Sequence, residues 1–568
     1  MSESKEFTVS EVIDSFGING HTWLMFILLG FANIFDGYDF MVVNSTNTYL
    51  AASFGMVHMV DGKAVVDSAA MGSLTTWGLL GMVLGGACGG IMSDKLGRKK
   101  MLIIACFFYG IFTLPQAFSQ SLGFFAAFRL IAGFGVGSCI PVVTTCFSEI
   151  IPSKNRGVFV TFGMAFMVAG WVLAGVVAQA ICGVDHAIIE GWMAPITLAN
   201  GTETFENWRL CYLIGALPIA YAVLLIFFMH ETPHWYANNG QKEKAVQALE
   251  DIERKHHKTV THRDPNCLVI PPKPAKTSVN VLFSKKFIVG TAAIWTTYFV
   301  GQFCVYGMNA WIPTWFQGVG YSAGQSVMLQ TWNNVAAIAS NVTVGIVSDK
   351  IGRKKNLCLS WILCIVAIIL CSVFIVNDPE QTKFVLYVVL MLLFGFCLNY
   401  AITAVQPLMP EQYPTALRNT GVAWCQAFAR FGGSASSIVL GFIAGLPVFL
   451  DATTGAPAWS KVVLVLIVPF VLAEICSLLF VRETGGKTMD QLAAESAGDD
   501  GDTGMVPFIV MMLIAAFLAI LCIACPLVVT GWKANPLAMP LDLIALLLPF
   551  VHFFVFAGPL ALKNRKAA

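Results

Sequence analysis

Four charged side chains interrupt apolar stretches of the sequence, and their types suit the binding of a proton and of an anion. Asp36 and Asp39 lie in the run Phe-Asp-Gly-Tyr-Asp-Phe, whereas Arg129 and Arg430 each precede glycines in an apolar run. If these runs cross a membrane, each charge costs about 2.5–3.5 kcal/mol on insertion scales and is a functional candidate for that reason. A guanidinium stays charged and matches a carboxylate, and a carboxyl group whose surroundings alternate between burial and a nearby cation can bind and release a proton.

The polar residues of the first apolar run fall on one side of a predicted helix. At about 100° per residue, five of them lie within an arc of about 140°, namely Asn33, Asp36, Asp39, Asn44 and Asn47. Such a face must line a cavity or another helix, although a fixed pair with a buried arginine is the alternative for its acids. Arg129 is predicted either to pair with one of these acids or to contact a substrate. Arg430, which has no obvious local acid, is the best candidate to bind an anionic substrate.

Membrane-spanning helices must position these residues. Of the 568 residues, 57% are apolar and 12% are charged, which argues against a water-soluble enzyme and against disorder. The 34 Lys and Arg nearly cancel the 33 Asp and Glu, so no overall field favours nucleic acid.

A span needs about 20 apolar residues. Such stretches are 22–50, 69–92, 101–120, 122–147, 158–183, 208–230, 286–317, 325–347, 357–377, 383–409, 419–446, 459–481, 506–530 and 538–562.

The spans fall into two groups of six and a final pair. Lys and Arg concentrate in alternate short loops, which predicts that both termini and the middle loop are cytoplasmic. The plasma membrane is the expected location. Within the middle loop, Ala245, Val246, Leu249 and Ile252 recur at helical spacing. The predicted segments are a cytoplasmic N-terminus (1–21), a six-helix bundle (22–230), a cytoplasmic middle loop (231–285), a second six-helix bundle (286–481), a cytoplasmic linker (482–505), two additional transmembrane helices (506–562) and a cytoplasmic tail (563–568).

The two halves repeat the same charged motifs. GIMSDKLGRKK at 90–100 recurs as GIVSDKIGRKK at 345–355. An E-x-x-P-x-x-x-R pattern follows the fourth span of each half, and it suggests the pairs Glu149–Arg156 and Glu411–Arg418. Glu-Thr closes each half at 231–232 and 483–484. We expect the glycines to allow close helix approach and the charges to hold the two bundles in one state and release them in another; a role in topology alone is the alternative. The gating candidates are Gly90, Asp94, Arg98, Glu149, Arg156, Gly345, Asp349, Arg353, Glu411 and Arg418.

Uncharged side chains in later spans are expected to complete a ligand site. Together they would suit a small ligand with both flat and polar parts. These candidates are Tyr306, Asn309 and Trp311 in the seventh span, Asn333 in the eighth and Gln406 in the tenth. Glu474 in the twelfth span is either a second proton site or a paired or snorkelling acid.

Most cysteines stand singly in apolar runs, where Cys acts as a small hydrophobe. We therefore predict no metal site, and no cofactor beyond protons as the coupling ion. Cys182 and Cys211 are expected near the same outer surface, where the two could pair.

The repeated G-x-x-x-D-K-x-G-R-K-K motif resembles that of the major facilitator superfamily, over roughly residues 20–495. The resemblance implies an all-α multi-pass membrane protein with two pseudo-symmetric six-helix bundles (12 spans), to which this chain adds two C-terminal transmembrane helices. Asp-Gly-Tyr-Asp at 36–39, the Tyr-to-Thr run at 306–314 and Arg-Phe-Gly at 430–432 resemble the aromatic acid:proton symporter branch. That likeness implies proton coupling at Asp36 and Asp39 and carboxylate binding at Arg430.

The predicted function is secondary active transport, by alternating access, of a small organic anion such as an aromatic or other monocarboxylate, together with a proton. Other motifs resemble sugar porters, and the first span shares a D-x-Y-D pattern with phosphate:proton symporters. A sugar or phosphate transporter, a proton-independent facilitator and a transporter-like sensor are the alternatives. No enzymatic activity is expected. The expected partners are a small-molecule substrate and the lipid bilayer, without nucleic acid; the exact substrate and the oligomeric state stay open.

Overall fold

We analysed the fold in a computed structural model, which is helical along most of its length. It describes residues 6–18, 20–60, 63–66, 68–152, 156–189, 191, 193–197, 203–255, 261–270, 279–284, 287–376, 378, 380–413, 415–450, 457–481 and 483. Within these ranges some side chains are not described, including those of Arg156, Asp349 and Arg418, and neither are the surroundings of Gly345. The two predicted helices at 506–562 and the tail at 563–568 lie outside the described residues.

Seventeen α-helices form the described part of the chain. In chain order they are α1 Val9–Phe16, α2 Gly20–Ser53, α3 Ser68–Leu96, α4 Arg98–Thr113, α5 Leu122–Ile150, α6 Arg156–Cys182, α7 Trp208–Ile214, α8 Pro218–Phe228, α9 Pro233–Asn238, α10 Lys242–Lys255, α11 Ile288–Val319, α12 Ala323–Ile351, α13 Arg353–Phe374, α14 Phe384–Glu411, α15 Thr415–Ala444, α16 Trp459–Val462 and α17 Ile467–Phe480. Two short antiparallel hairpins, not predicted from the sequence, join Val57–Val60 to Lys63–Val66 and Pro195–Thr197 to Glu203–Phe205.

Eleven segments of the described chain are long and apolar enough to cross a membrane. The remaining predicted span, α12, is a 29-residue helix whose buried surface includes the amides of Gln330, Asn333, Asn334 and Asn341. Polar side chains lower the mean hydropathy of a span even where neighbouring helices cover them. The predicted all-α multi-pass membrane fold is confirmed for the described part.

The contacts between Cα atoms divide the chain into two units. The first contains residues 1–55 and 77–273, and the second contains residues 56–76 and 274–568. The sequence placed the whole second span in the first bundle, whereas its beginning groups with the second unit. Within that unit the Thr76 hydroxyl donates to the Ser434 carbonyl at 3.0 Å. A Cβ added at Gly72 would lie 2.7 Å from the Ser437 carbonyl oxygen, so glycine permits this close backbone contact.

In the first unit, α2 and α6 pack closely through glycines that flank the acidic motif. A Cβ added at Gly37 would lie 2.0 Å from the carbonyl oxygen of Met167 on α6. On the facing helix, a Cβ at Gly170 would lie 2.2 Å from the carbonyl oxygen of Ile34. Because any larger side chain would separate the two backbones, the glycine between Asp36 and Asp39 fixes the position of both acids.

Three helices outside the spans, α1, α9 and α10, form what we call the peripheral helix cluster. The predicted helix in the middle loop is α10, and its Ala245 and Leu249 are buried against Val12 and Ile13 of α1. Helix α1 was not predicted, although Thr8 and Glu11 form a reciprocal capping box at its start. Burial of one apolar face against α10 stabilises a helix that is too short to persist alone.

Candidate functional site

Asp39 and Arg129 form a buried ion pair inside the first unit. The Arg129 Nη1 atom lies 2.8 Å from the Asp39 Oδ2 atom, and both side chains are 2% exposed. Arg129 Nη2 also donates to the Asp39 backbone carbonyl at 2.8 Å. The Thr113 hydroxyl donates to the other carboxylate oxygen at 3.0 Å. Helices α2 and α5 and the end of α4 together position one acid–base pair, so the structure gives Arg129 a protein partner.

The guanidinium of Arg129 occupies space that a glycine leaves open. A Cβ added at Gly78 on α3 would lie 2.7 Å from the Arg129 Nε atom. That Nε atom is buried and makes no hydrogen bond with any residue that the structure describes. One donor of the arginine therefore stays available while the other two nitrogens hold Asp39.

Asp36 lies one helical turn before Asp39 and is also buried, with 2% of its surface exposed. Its carboxyl group interacts with the Cys139 thiol of α5 and lies within electrostatic range of Tyr109 on α4. The two predicted proton-coupling acids thus lie in different surroundings. Asp39 faces a cation and a hydroxyl, and Asp36 faces a thiol and a phenol ring.

Arg430 lies on α15 in the second unit and keeps a donor unused. Its Nη1 atom is buried without a hydrogen bond to any described residue. The rings of Tyr298 and Tyr306 on α11 lie within electrostatic range of its charge. Because a buried guanidinium nitrogen is costly to leave unpaired, this site suits the carboxylate of a ligand.

Tyr298 and Gln302, which belong to a hydrogen-bonded group beside Arg430, were missed in the sequence. The Tyr298 hydroxyl donates to Gln426 Oε1 at 3.1 Å and accepts from Gln302 Nε2 at 3.0 Å. The Gln302 Oε1 atom is buried and makes no hydrogen bond within the described chain. Tyr298, Gln302 and Tyr306 recur every four residues, so they lie on one face of α11, and this spacing was the available signal.

The other predicted ligand residues use some or all of their polar groups within the second unit. Asn309 donates to Val305 O at 3.0 Å, Trp311 donates to Ser437 O at 2.9 Å, and Asn333 donates to Asn334 Oδ1 at 3.4 Å. The Trp311 ring also packs on Trp459. Since the only donor of the Trp311 indole is engaged, this residue supports the fold around α15. Gln406 lies half-buried on α14.

Two further predictions concern Glu474 and the pair Cys182 and Cys211. Glu474 lies half-buried on α17, and its Oε2 atom makes no hydrogen bond with the described residues. The Cys182 and Cys211 sulfur atoms lie 3.9 Å apart as free thiols in the first unit. The predicted proximity of these two cysteines is therefore present, without a disulfide.

The charged motif of the first unit forms a network around Arg98. Arg98 Nη1 lies 2.9 Å from Asp94 Oδ1, and Arg98 Nη2 lies 2.9 Å from Glu149 Oε1. The Thr232 hydroxyl donates to Glu149 Oε2 at 2.5 Å. The sequence suggested Arg156 as the partner of Glu149, but the structure supplies Arg98, and the Arg156 side chain lies outside the described residues.

Glu231 caps the start of α4 in this network. Its Oε1 atom accepts the backbone N–H of Arg98 at 2.9 Å, and its Oε2 atom accepts that of Lys99 at 3.2 Å. Burial raises the pKa of the Glu231 carboxyl, whereas the backbone N–H groups of Thr232, Lys99 and Arg98 oppose that rise. A carboxylate at a helix N-terminus is stabilised by the unpaired N–H groups there.

The second unit repeats this arrangement. Arg353 forms an ion pair with Glu411, and Glu483 accepts the backbone N–H groups of Arg353 at 3.0 Å and of Lys354 at 3.2 Å. The Glu-Thr pairs that close each half thus have the same structural role. The side chains of Asp349 and Arg418 and the surroundings of Gly345 lie outside the described part.

The two glycines of the first motif differ in what they permit. Gly97 has φ of +107°, and a Cβ there would lie 2.3 Å from Glu231 Oε2. At Gly90, where we expected a close helix approach, a Cβ would meet no described atom within 4 Å. No close helix approach at Gly90 is therefore seen among the described residues.

Gly97→Ala is expected to destabilise the protein, and Gly90→Ala serves as the matched control. A non-glycine residue in the Gly97 conformation costs about 1–3 kcal/mol, before Glu231 is displaced from the α4 N-terminus. Thermal unfolding in detergent measures the effect. We expect a lower Tm for Gly97→Ala and an equal or slightly higher Tm for Gly90→Ala. Equal losses in both variants would contradict this explanation of the motif.

Comparison with known proteins identifies the chain. Residues 25–495 match the family described as sugar (and other) transporter. The chain belongs to that family. The predicted resemblance to the major facilitator superfamily is confirmed, and the chain is a multi-pass membrane transporter and not an enzyme.

Relatives of this transporter include carriers of organic acids. The gallate transporter of Pseudomonas putida is 26% identical over 471 residues, covering 81% of this chain and 94% of the relative. The 4-hydroxybenzoate transporter PcaK of Pseudomonas aeruginosa is 26% identical, covering 83% and 95%. A solved D-xylose–proton symporter is similar in fold, with a TM-score of 0.62 at 18% identity, covering 83% of this chain and all of that one.

Proposed function

We propose that this transporter is a proton-coupled symporter that carries a small aromatic monocarboxylate across the plasma membrane by alternating access. The observation that carries the proposal is the buried Arg430 Nη1 donor, which makes no hydrogen bond within the described chain. The two oxygens of a carboxylate match the paired N–H donors of a guanidinium. The named substrates of the gallate and 4-hydroxybenzoate relatives support this choice.

The group beside Arg430 suits a ring that carries a hydroxyl. Among the described residues, Gln302 offers a buried oxygen acceptor without a donor, while Arg430 offers a buried donor without an acceptor. Tyr298 links the two, since it bonds Gln302 and lies in electrostatic range of Arg430. A hydroxybenzoate supplies an acceptor at one end, a donor at the other and a flat apolar ring between them. Such a ligand satisfies both groups, whereas a sugar leaves the arginine charge uncompensated.

The proton is proposed to act through Asp39 and Arg129, with Asp36 as a second acidic position. When Asp39 is ionised, its charge compensates Arg129 in a fully buried site. Protonation removes that compensation, and an uncompensated buried charge is strongly unfavourable. The arrangement of the first unit therefore depends on whether Asp39 carries a proton. A conformational equilibrium that responds to protonation allows a proton gradient to drive uptake.

The proposed topology places both termini and the middle loop in the cytoplasm, following the Lys and Arg of the repeated motifs. Cys267, a partly exposed free thiol beside the peripheral helix cluster, offers a test of this orientation. We expect a membrane-impermeant maleimide to label Cys267 only after the cells are permeabilised. Labelling of Cys267 in intact cells would reverse the orientation.

Uptake into proteoliposomes tests the substrate class. We expect radiolabelled 4-hydroxybenzoate to accumulate when the interior is more alkaline than the exterior, and to equilibrate without accumulation when the pH is equal. Excess gallate should compete for uptake, whereas D-xylose and inorganic phosphate should not. Accumulation of D-xylose or phosphate in place of the aromatic acids would overturn the proposal.

A further inference from the structure

A large cavity lies in the first unit among residues that the proposed transport mechanism does not assign to the proton or to the substrate. Its volume is about 640 Å³, and its walls come from α1, the start of α2, the start of α4, the end of α5, and from α9 and α10. This volume lies within the range of about 300–1,000 Å³ that is typical of small-molecule sites. The peripheral helix cluster and the charged motif around Arg98 thus border a half-open cavity large enough for a ligand.

Four lysines line this cavity. Lys99 and Lys100 come from the start of α4, and Lys244 and Lys255 come from α10. Lys99 Nζ donates to the Ile226 carbonyl at 2.8 Å. Lys100 and Lys244 make no hydrogen bond or ion pair with any residue that the structure describes. Two separate elements therefore present cationic groups to one half-open cavity, and Lys100, Lys244 and Lys255 are themselves exposed.

His230 lies beside Lys255 in the same wall. The Lys255 Nζ atom lies 2.9 Å from His230 Nε2. Burial, followed by the charges of Lys255 and Lys99, lowers the pKa of the His230 imidazole. A neutral imidazole accepts a hydrogen bond from the ammonium group, which holds Lys255 at the cavity without reducing its charge.

The carboxylates in the cavity wall are already bound to other groups. Glu149 is paired with Arg98, which is not itself part of the wall, and Asp251 lies 3.2 Å from Arg254. Glu231 accepts the backbone N–H groups at the start of α4. Glu231 keeps its full negative charge, because backbone N–H groups carry none. The four lysines of the wall nevertheless outnumber its three carboxylates, Glu149, Glu231 and Asp251, so the net charge of the wall is positive.

We propose that this cavity is a binding site for a phosphate-bearing anion, which Lys99 and Lys100 of α4 hold together with Lys244 and Lys255 of α10. Lysine is a common phosphate ligand, and several lysines from two elements match the charge of a phosphate monoester or polyphosphate. The aromatic side chains of Phe16, Trp235 and Tyr236 in the wall offer an apolar surface that an apolar portion of the ligand can contact. A bound anion stabilises the arrangement in which α10 lies against the charged motif, because it binds that arrangement selectively.

The phosphate has two sources, a soluble phosphorylated molecule and the headgroup of an anionic lipid. Phe227 and Phe228, beside the His230 wall, are 72% and 55% exposed, as expected of side chains that face lipid. A headgroup at the inner membrane surface and a soluble anion would both reach lysines in this position. The experiment therefore uses one probe for each source.

Thermal unfolding of the full-length protein in nanodiscs tests the site. The soluble probe is inorganic pyrophosphate added to phosphatidylcholine nanodiscs, and the lipid probe is phosphatidic acid mixed into the nanodisc. We expect at least one probe to raise the Tm by about 3 °C or more at saturation. A rise with pyrophosphate identifies a soluble ligand, and a rise with phosphatidic acid alone identifies a headgroup.

The repeated motif provides a matched control. Lys100→Gln with Lys244→Gln should remove the rise in Tm, whereas Lys355→Gln, at the position equivalent to Lys100 in the second motif, should keep it. As a second readout on the unmodified protein, the effective probe should protect Lys100 and Lys244, but not Lys355, from amine acetylation. A rise that persists unchanged in the double variant, or no rise with either probe, would overturn the proposal. The assay measures no transport, so its failure leaves the proposed substrate and proton coupling untouched.

Discussion

Asp39→Asn is expected to abolish accumulation of the aromatic acid against its gradient and to lower the stability of the protein. The substitution keeps the shape of the side chain but removes the negative charge that lies 2.8 Å from Arg129. Removing one partner of a buried ion pair typically costs about 3–5 kcal/mol, because the remaining charge is uncompensated. Uptake with and without a pH gradient, together with thermal unfolding, measures both effects.

The controls for Asp39 separate charge pairing from coupling. Asp39→Asn combined with Arg129→Gln removes both charges, so it should recover much of the lost stability while uptake stays uncoupled from the gradient. Asp36→Asn should also lose gradient-driven accumulation while it retains exchange of bound substrate. Asp185→Asn, at an exposed position, should behave as the unmodified protein. Normal accumulation by the Asp39→Asn variant would remove the basis for the coupling mechanism.

Arg430→Gln is expected to weaken binding of 4-hydroxybenzoate by about 30-fold or more. Truncating one member of a buried hydrogen-bonded charge pair costs about 2–5 kcal/mol, and about 1.4 kcal/mol corresponds to a tenfold change in Kd. The analogue 4-hydroxybenzamide is neutral and is expected to bind more weakly than the acid. Because it makes no ion pair with Arg430, its Kd should change little in the Arg430→Gln variant. Isothermal titration or competition against labelled substrate measures both constants.

Gln302→Leu provides the companion measurement at the other end of the ligand. The leucine side chain accepts no hydrogen bond, so we expect weaker binding of 4-hydroxybenzoate and nearly unchanged binding of benzoate, which lacks the hydroxyl. Arg254→Gln, an exposed arginine on α10, serves as the neutral control for charge removal. If Arg430→Gln weakens the acid and the amide equally, Arg430 supports the fold and does not bind the carboxylate.

Much of the fold was readable because its signals are local. Membrane spans follow from uninterrupted apolar runs, and the repeated motifs mark equivalent positions in both halves. Helix α1 was missed although Thr8 and Glu11 mark its start, because so short a helix depends on burial against α10. The grouping of the beginning of α3 with the second unit was not predicted, since nothing in the local sequence shows that Gly72 contacts Ser437.

The candidate site was harder to predict, because its partners are distant in sequence. Asp39 and Arg129 are 90 residues apart in the sequence. Only the expectation that buried charges pair with each other suggested this contact. Glu149 was assigned a nearby arginine, whereas Arg98, 51 residues away, is the partner that the helix packing supplies. Tyr298 and Gln302 were missed because uncharged polar residues in a span carry a weaker signal than charges.

Proton movement coupled to substrate entry tests the proposed mechanism most directly. The purified protein is placed in liposomes that contain a pH-sensitive dye, at equal pH on both sides and with the membrane potential clamped. Addition of 4-hydroxybenzoate outside should acidify the interior faster than in protein-free liposomes, and the Asp39→Asn variant should lose this excess. Entry of the substrate through the unmodified protein without any excess proton entry would contradict proton-coupled symport.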